Sequence, residues 1–114
     1  MAPEKAVKYF HGQERYNCAQ AVLKGFEDDH DVPQEKIDEF KAFGGGRAQD
    51  GLCGALFAAK MLVNNTEKAE KIAAEFIEIA GSFKCREIRK IGKLPCKECV
   101  FTAASLLQKI EKLV

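Results

Sequence analysis

Five cysteines, Cys18, Cys53, Cys85, Cys96 and Cys99, are the residues of this chain best suited to chemistry. Cys96 and Cys99 form a C-x-x-C directly after Pro95. That spacing serves half of a zinc site, a redox disulfide, a pair of cluster ligands, or two thiols packed in a helical core. The other three cysteines are isolated, which removes several options. A thioredoxin-like site needs a strand before the motif, and none precedes Pro95. A zinc ribbon needs a second C-x-x-C. Haem attachment needs histidine after the motif, and Val100 stands there. The bacterial ferredoxin run is absent. A metal or cluster would therefore draw its cysteines from separate elements. No general acid or base stands out strongly enough to name a reaction.

The elements that must position these sulfurs are helical. Apolar residues recur at intervals of three and four, and no alternating β-branched run reads as a strand. Pro3 suits a first turn, and Val7 and Phe10 mark a short helix reaching about Gly12. Asn17 caps a second helix with Ala19, Val22, Leu23 and Phe26 on one face. The EDDHD segment, 27–31, reads as an acidic turn, and Pro33 starts a third helix carrying Ile37, Phe40 and Phe43. After a glycine-rich loop, Asp50 is placed to cap a helix through Leu52, Leu56, Ala59 and Leu62. Asn64, Asn65 and Thr66 break the chain and recap it. The next helix carries Ala69, Ile72, Ala73, Phe76, Ile77 and Ala80, and Gly81 ends it. KCREIRKIGK reads as a connection, and Pro95 opens a last helix with Val100, Ala103, Leu107, Ile110 and Val114 in register. The expectation is one all-α domain over 1–114, a compact bundle of five to six helices with short loops.

On those helices Cys18, Cys53 and Cys96 fall in first turns, Cys99 lies one turn beyond Cys96, and Cys85 falls in the last connection. A helix start offers unpaired N–H groups and the positive end of the dipole, which favour thiolate. Lys84, Arg86, Arg89, Lys90, Lys93 and Lys97, against Glu87, would add to this if they face the sulfurs. The competing reading is a plain core. Cys96, Cys99, Val100, Ala103 and Leu107 share one stripe, and free cysteine packs as a small hydrophobe. The loop GGGRAQDGLCG lacks GK[ST] and does not match G-x-G-x-x-G, so its glycines are read as allowing tight turning and close approach to sulfur. Arg47 reads as a solvated loop arginine or an anion contact. His11 and His30 read as surface or capping residues, and Glu67 with Lys71 as a solvated helical pair.

Composition bounds the partners. Charged residues make up 31% and the net charge is +1, which argues for neither nucleic acid nor an anionic membrane. LCGALFAAKMLV is too short to span a bilayer and is broken by Lys60. The N-terminal residues show no apolar leader, so a reducing cytoplasm is the expectation, where cysteines bind metals, catalyse or lie buried more often than they form structural disulfides. An odd cysteine leaves room for a bridged homodimer.

Taken together, YNCAQAVL (16–23), FGGGRAQDGLCGAL (43–56), FKCREI (83–88) and CKECVFTAASLL (96–107) resemble the C_GCAxxG_C_C family of redox-active proteins. The resemblance carries the family's cysteines onto Cys18, Cys53, Cys85 and Cys96, with Cys96 and Val100 matching its last motif and Cys99 an addition. Ala58 stands where the family's glycine after the second cysteine is expected. The resemblance implies a redox role, and related modules in cytochrome-like electron-transfer proteins make an iron–sulfur cluster the expected guest. The first expectation is thus a cluster or another soft metal such as zinc on Cys18, Cys53, Cys85 and Cys96, with Cys99 as a further ligand or resolving thiol, working with a redox partner protein. The second is a metal-free thiol–disulfide protein using Cys96, Cys99 and Cys85. The third is a helical interaction module with core cysteines and no cofactor.

Overall fold

Local capping chemistry sets two of the described helix starts. Asn17 accepts a hydrogen bond from the Gln20 backbone N–H at 2.8 Å, while the Gln20 side chain accepts from the Asn17 N–H at 3.1 Å. This reciprocal capping box satisfies two donors that the first turn leaves unpaired. Asn65 does the same one-sided job for its own helix, accepting from the Lys68 N–H at 2.9 Å. Two helices end on left-handed glycines, Gly81 at φ 92° and Gly92 at φ 69°, a conformation that costs a side chain heavily.

The structure, a computed structural model, describes residues 2–10, 12, 15–43, 51–63, 65–92 and 94–111. Its helices are α1 (Ala2–Tyr9), α2 (Cys18–Gly25), α3 (Glu27–His30), α4 (Gln34–Glu39), α5 (Gly54–Val63), α6 (Thr66–Ala80), α7 (Cys85–Ile91) and α8 (Cys96–Glu111), with a 3-10 turn at Phe40–Phe43 after α4. Among the described residues there is no strand, and two isolated β-bridges join Phe10 to Tyr16 and Leu52 to Lys84. The all-α class is as expected. The described helices outnumber the five to six expected, because two segments read as irregular are helical. EDDHD forms α3 and closes with Asp31 in the left-handed region, and KCREIRKIGK contains α7. Short helices of four and seven residues carry too little periodicity to declare themselves. The first helix stops at Tyr9 rather than near Gly12. Asp50, Arg47, His11, Asn64, Lys93 and Val114 lie outside the described residues.

α8 is the hub. It packs on α1, α2, α5 and α6, and α2 in turn packs on α1 and α5. Val100, Ala103, Ala104 and Leu107 are completely buried, as the 3–4 spacing predicts. On α6, Ile72, Phe76 and Ala80 face the core, whereas Ile77, expected on the same face, is 37% exposed. A stripe of three residues suffices here because α6 packs mainly against α5 and α8. The rings of Phe40, Phe43 and Phe57 stand 5.0 to 5.6 Å apart, clamping the 3-10 turn against α5. Each such pair contributes on the order of 1 kcal/mol beyond simple burial. Among the described residues no helix is long and apolar enough to cross a membrane. His30, expected as a surface or capping residue, is half-buried, edge-on to Phe26 and with Nε2 2.9 Å from Glu111 Oε2.

Candidate functional site

Four elements deliver the sulfurs. Cys18 is the first residue of α2, held by the Asn17 capping box. Asn17 also donates through Nδ2 to the carbonyls of Phe40 and Lys41, at 3.3 and 3.0 Å, which ties this helix start to the 3-10 turn. Cys53 does not sit inside a first turn as expected. It precedes α5, and its carbonyl accepts the first bond of that helix from Phe57 at 2.9 Å. Its own N–H donates to the Phe83 carbonyl at 2.8 Å. That bond, with the Leu52–Lys84 bridge, draws the start of α5 alongside the start of α7. Cys85 consequently opens a helix rather than lying in a connection. Cys96 opens α8, and Cys99 donates its backbone N–H to Pro95 O at 2.9 Å.

Gly54 permits the closest approach. A Cβ on it would stand 2.6 Å from Cys18 Sγ and 2.8 Å from the Phe43 carbonyl oxygen. Neither contact is tolerable, so the missing side chain is what lets the start of α2 meet the start of α5. The close approach expected of the loop's glycines is thus made at Gly54. Ala58, the departure from the family pattern, is simply accommodated, fully buried in the core.

The sulfurs interact pairwise, and Cys96 and Cys99 are themselves neighbours three residues apart on α8. Cys53 shares side-chain hydrogen bonds with Cys18 and with Cys99. Cys85 interacts electrostatically with Cys96 and with Cys18. The row therefore runs Cys96, Cys85, Cys18, Cys53, Cys99. At one end Cys99 is 3% exposed and its thiol donates to the Leu94 carbonyl at 3.7 Å. At the other end Cys96 is half-buried, whereas the remaining four are buried. All five are free thiols.

Their electrostatics depart from the helix-start expectation. The Cys18 hydrogen bond is the largest influence on Cys53 and favours its thiolate, but the hydrogen bond with Cys99 and burial outweigh it together, and the thiol is pushed up to about 12. Burial also raises Cys85, against the opposing charge of Arg89. Desolvation disfavours an anion more than a helix end favours it. Arg89 is the one member of the basic run with a described sulfur contact. A side-chain hydrogen bond with Cys96 raises its pKa, followed by the charges of Cys85, Cys96 and Cys18. On α7 it stands four residues after Cys85, which puts both on one face. Reading the segment as a connection hid that pairing, and recognising α7 would have exposed it.

The donor chemistry suits a soft metal or an iron–sulfur cluster, since thiolates select both. The arrangement does not. Among the described residues no three of His, Cys, Asp and Glu form a group that could hold a metal ion.

With the cysteine row in place, a match to known families has physical content. The family model described as "Putative redox-active protein (C_GCAxxG_C_C)" matches residues 16–110. The chain belongs to this family. The match begins at Tyr16, two residues before Cys18, and extends beyond Cys99, so all five sulfurs of the row lie within the family region. No curated protein and no solved structure matches the chain.

Proposed function

We propose that this family member is a thiol–disulfide redox protein whose working pair is Cys96 and Cys85. The observation that carries this reading is Arg89, which stands four residues after Cys85 on α7 and whose charge acts on both Cys85 and the half-buried Cys96. Accessible sulfur beside a fixed cation is the usual setting of a reactive thiolate. Cys96 attacks one sulfur of a substrate disulfide. That S–S bond breaks, a mixed disulfide forms, and one substrate sulfur leaves as thiolate. Cys85 gives up its proton to solvent and attacks the Cys96 sulfur. The second substrate sulfur leaves, and a Cys85–Cys96 disulfide remains. The two cysteines lose two electrons, the substrate gains two, and the steps run backwards when a dithiol reduces the protein. Cys99, the other partner suggested by the C-x-x-C, is less suited, because its thiol donates to the Leu94 carbonyl, whereas Cys85 shares the charge of Arg89 with Cys96.

Mild oxidant followed by peptide mapping tests this. The expected result is loss of two of the five thiols and a disulfide joining Cys85 to Cys96, with neither change in Cys96→Ser. Five thiols still countable after oxidation would sink the proposal.

The soft-metal or cluster reading, with Cys18, Cys53, Cys85 and Cys96 as ligands, is supported by family membership and by the thiol donor set. Against it, no three of His, Cys, Asp and Glu among the described residues form a group that could hold a metal ion. Iron, zinc and labile sulfide measured on protein purified without oxygen separate the two readings, because stoichiometric metal lost in each of the four serine variants would favour the cluster.

A further inference from the structure

The rim of the site carries an excess of positive charge. Lys84, Arg86, Arg89 and Lys90 on or beside α7, and Lys97 next to Cys96, are all exposed. The carboxylates interspersed with them are Glu87 and Glu98, and Glu87 accepts a hydrogen bond from Ser82 Oγ at 3.4 Å. Among the described residues the ion pairs engage Lys5, Lys24, His30, Lys36 and Lys109, and none neutralises the rim. The chain as a whole carries only +1, so this excess is local and is offset elsewhere on the molecule. Arg86 and Lys90 are four residues apart, as are Cys85 and Arg89, so two neighbouring faces of α7 present cations around the Cys85–Cys96 pair. Like charges held this close repel one another, and an approaching anion relieves that repulsion.

Resting on the redox pair described above, we infer that the basic rim selects disulfides flanked by negative charge, so the substrate is a carboxylate-bearing disulfide. Its carboxylates meet Arg86, Lys90 and Lys97 while one of its sulfurs meets Cys96. The electron balance is that of the exchange already written: the anionic disulfide takes two electrons and leaves as two thiols, and Cys85 and Cys96 become a disulfide. Such a surface acts mainly on the encounter rate, so its effect weakens as salt screens it.

The test is the rate at which reduced protein reacts with three disulfides at low salt: oxidised glutathione (anionic), bis(2-hydroxyethyl) disulfide (neutral) and cystamine (cationic). Each rate is divided by that of 2-mercaptoethanol with the same disulfide. The expected order is anionic, neutral, cationic, with the anionic probe favoured about tenfold over the neutral one and the preference shrinking at high salt. The double variant Arg86→Gln/Lys90→Gln removes two rim cations, and the ratio of the anionic to the neutral rate should fall towards one. Equal normalised rates for all three probes, or a preference indifferent to salt, overturn this inference and leave the redox pair standing. No reaction with any probe overturns the redox pair and this inference with it. A peptide disulfide flanked by glutamates then distinguishes the sources. If it outpaces oxidised glutathione the substrate is an acidic protein segment, and if it lags the substrate is a small molecule.

Discussion

Cys96 and Cys99 stand three residues apart on one helix, yet they belong to different regions of the site. Cys96 lies at a rim, half-buried, against Arg89 and beside Cys85. Cys99 lies in an inner group with Cys53 and Cys18, where sulfur meets sulfur and a carbonyl, and no basic side chain is paired with Cys53 or Cys99 among the described residues. At the rim a cation, Arg89, acts on the sulfurs, and its charge opposes the effect of burial on Cys85. In the inner group thiol protons are held in hydrogen bonds and burial penalises charge, so Cys53 is pushed up to about 12. Nucleophilicity in a thiol follows the thiolate fraction and access, so the proposed exchange belongs to the rim and not to the inner group.

The sharpest way to break this contrast is native-state alkylation read cysteine by cysteine. Cys96 should label first, with Cys18, Cys53 and Cys99 slower by roughly 100-fold, because they must wait for local opening. Uniform labelling would erase the distinction between the two regions.

Gly54→Val attacks the inner group alone. Its added atoms meet Cys18 Sγ and the Phe43 carbonyl, so denaturant unfolding should show a loss of about 2 kcal/mol or more, the scale of overpacking a closed core. Inner thiols should then label faster while Cys96 keeps its rate. Wild-type stability in this variant would mean that the two helix starts do not need their close approach.

Arg89→Met attacks the rim alone. Alkylation of Cys96 at neutral pH should slow by about tenfold, because the cation beside the sulfur is gone. Arg89→Lys should recover part of that rate, and labelling of Cys53 and Cys99 should not move. An unchanged Cys96 rate in the methionine variant would detach Arg89 from the chemistry.

The smallest expected effect is on pH-dependent stability. Cys53 holds its proton in the folded state up to about 12 but loses it near its ordinary value of 9.0 when unfolded. The unfolded state therefore releases a proton first as pH rises. The contribution of this buried thiol is complete below 9.0 and is lost progressively towards about 12. Cys85 acts in the same direction. Urea midpoints should fall between about pH 8 and about pH 10, by roughly 1 kcal/mol for Cys53, and Cys53→Ala should flatten that dependence. A slope unaltered by the substitution would place the titrating group elsewhere.

Much of the architecture was legible because it is written in local chemistry. Asn17, Asn65 and Gly81 act at helix ends as their types require, and the stripe on α8 is buried as its spacing predicts. The two short helices were not legible. A helix of fewer than two turns repeats its apolar residues too few times to be told from a turn, and α7 was missed together with the Cys85–Arg89 pairing that depends on it.

The family, the all-helical class and the set of cysteines were determined by the sequence by itself, because residue order and spacing along one element encode them directly. The tertiary structure alone decided which cysteine neighbours which. Spacing on a helix states the angle at which a side chain leaves it, but not which other helix that side chain meets. Cys99 turned to Cys53 and Cys96 to Arg89 because the starts of α2, α5, α7 and α8 converge there. Burial and charge at that convergence decide whether a sulfur packs or reacts.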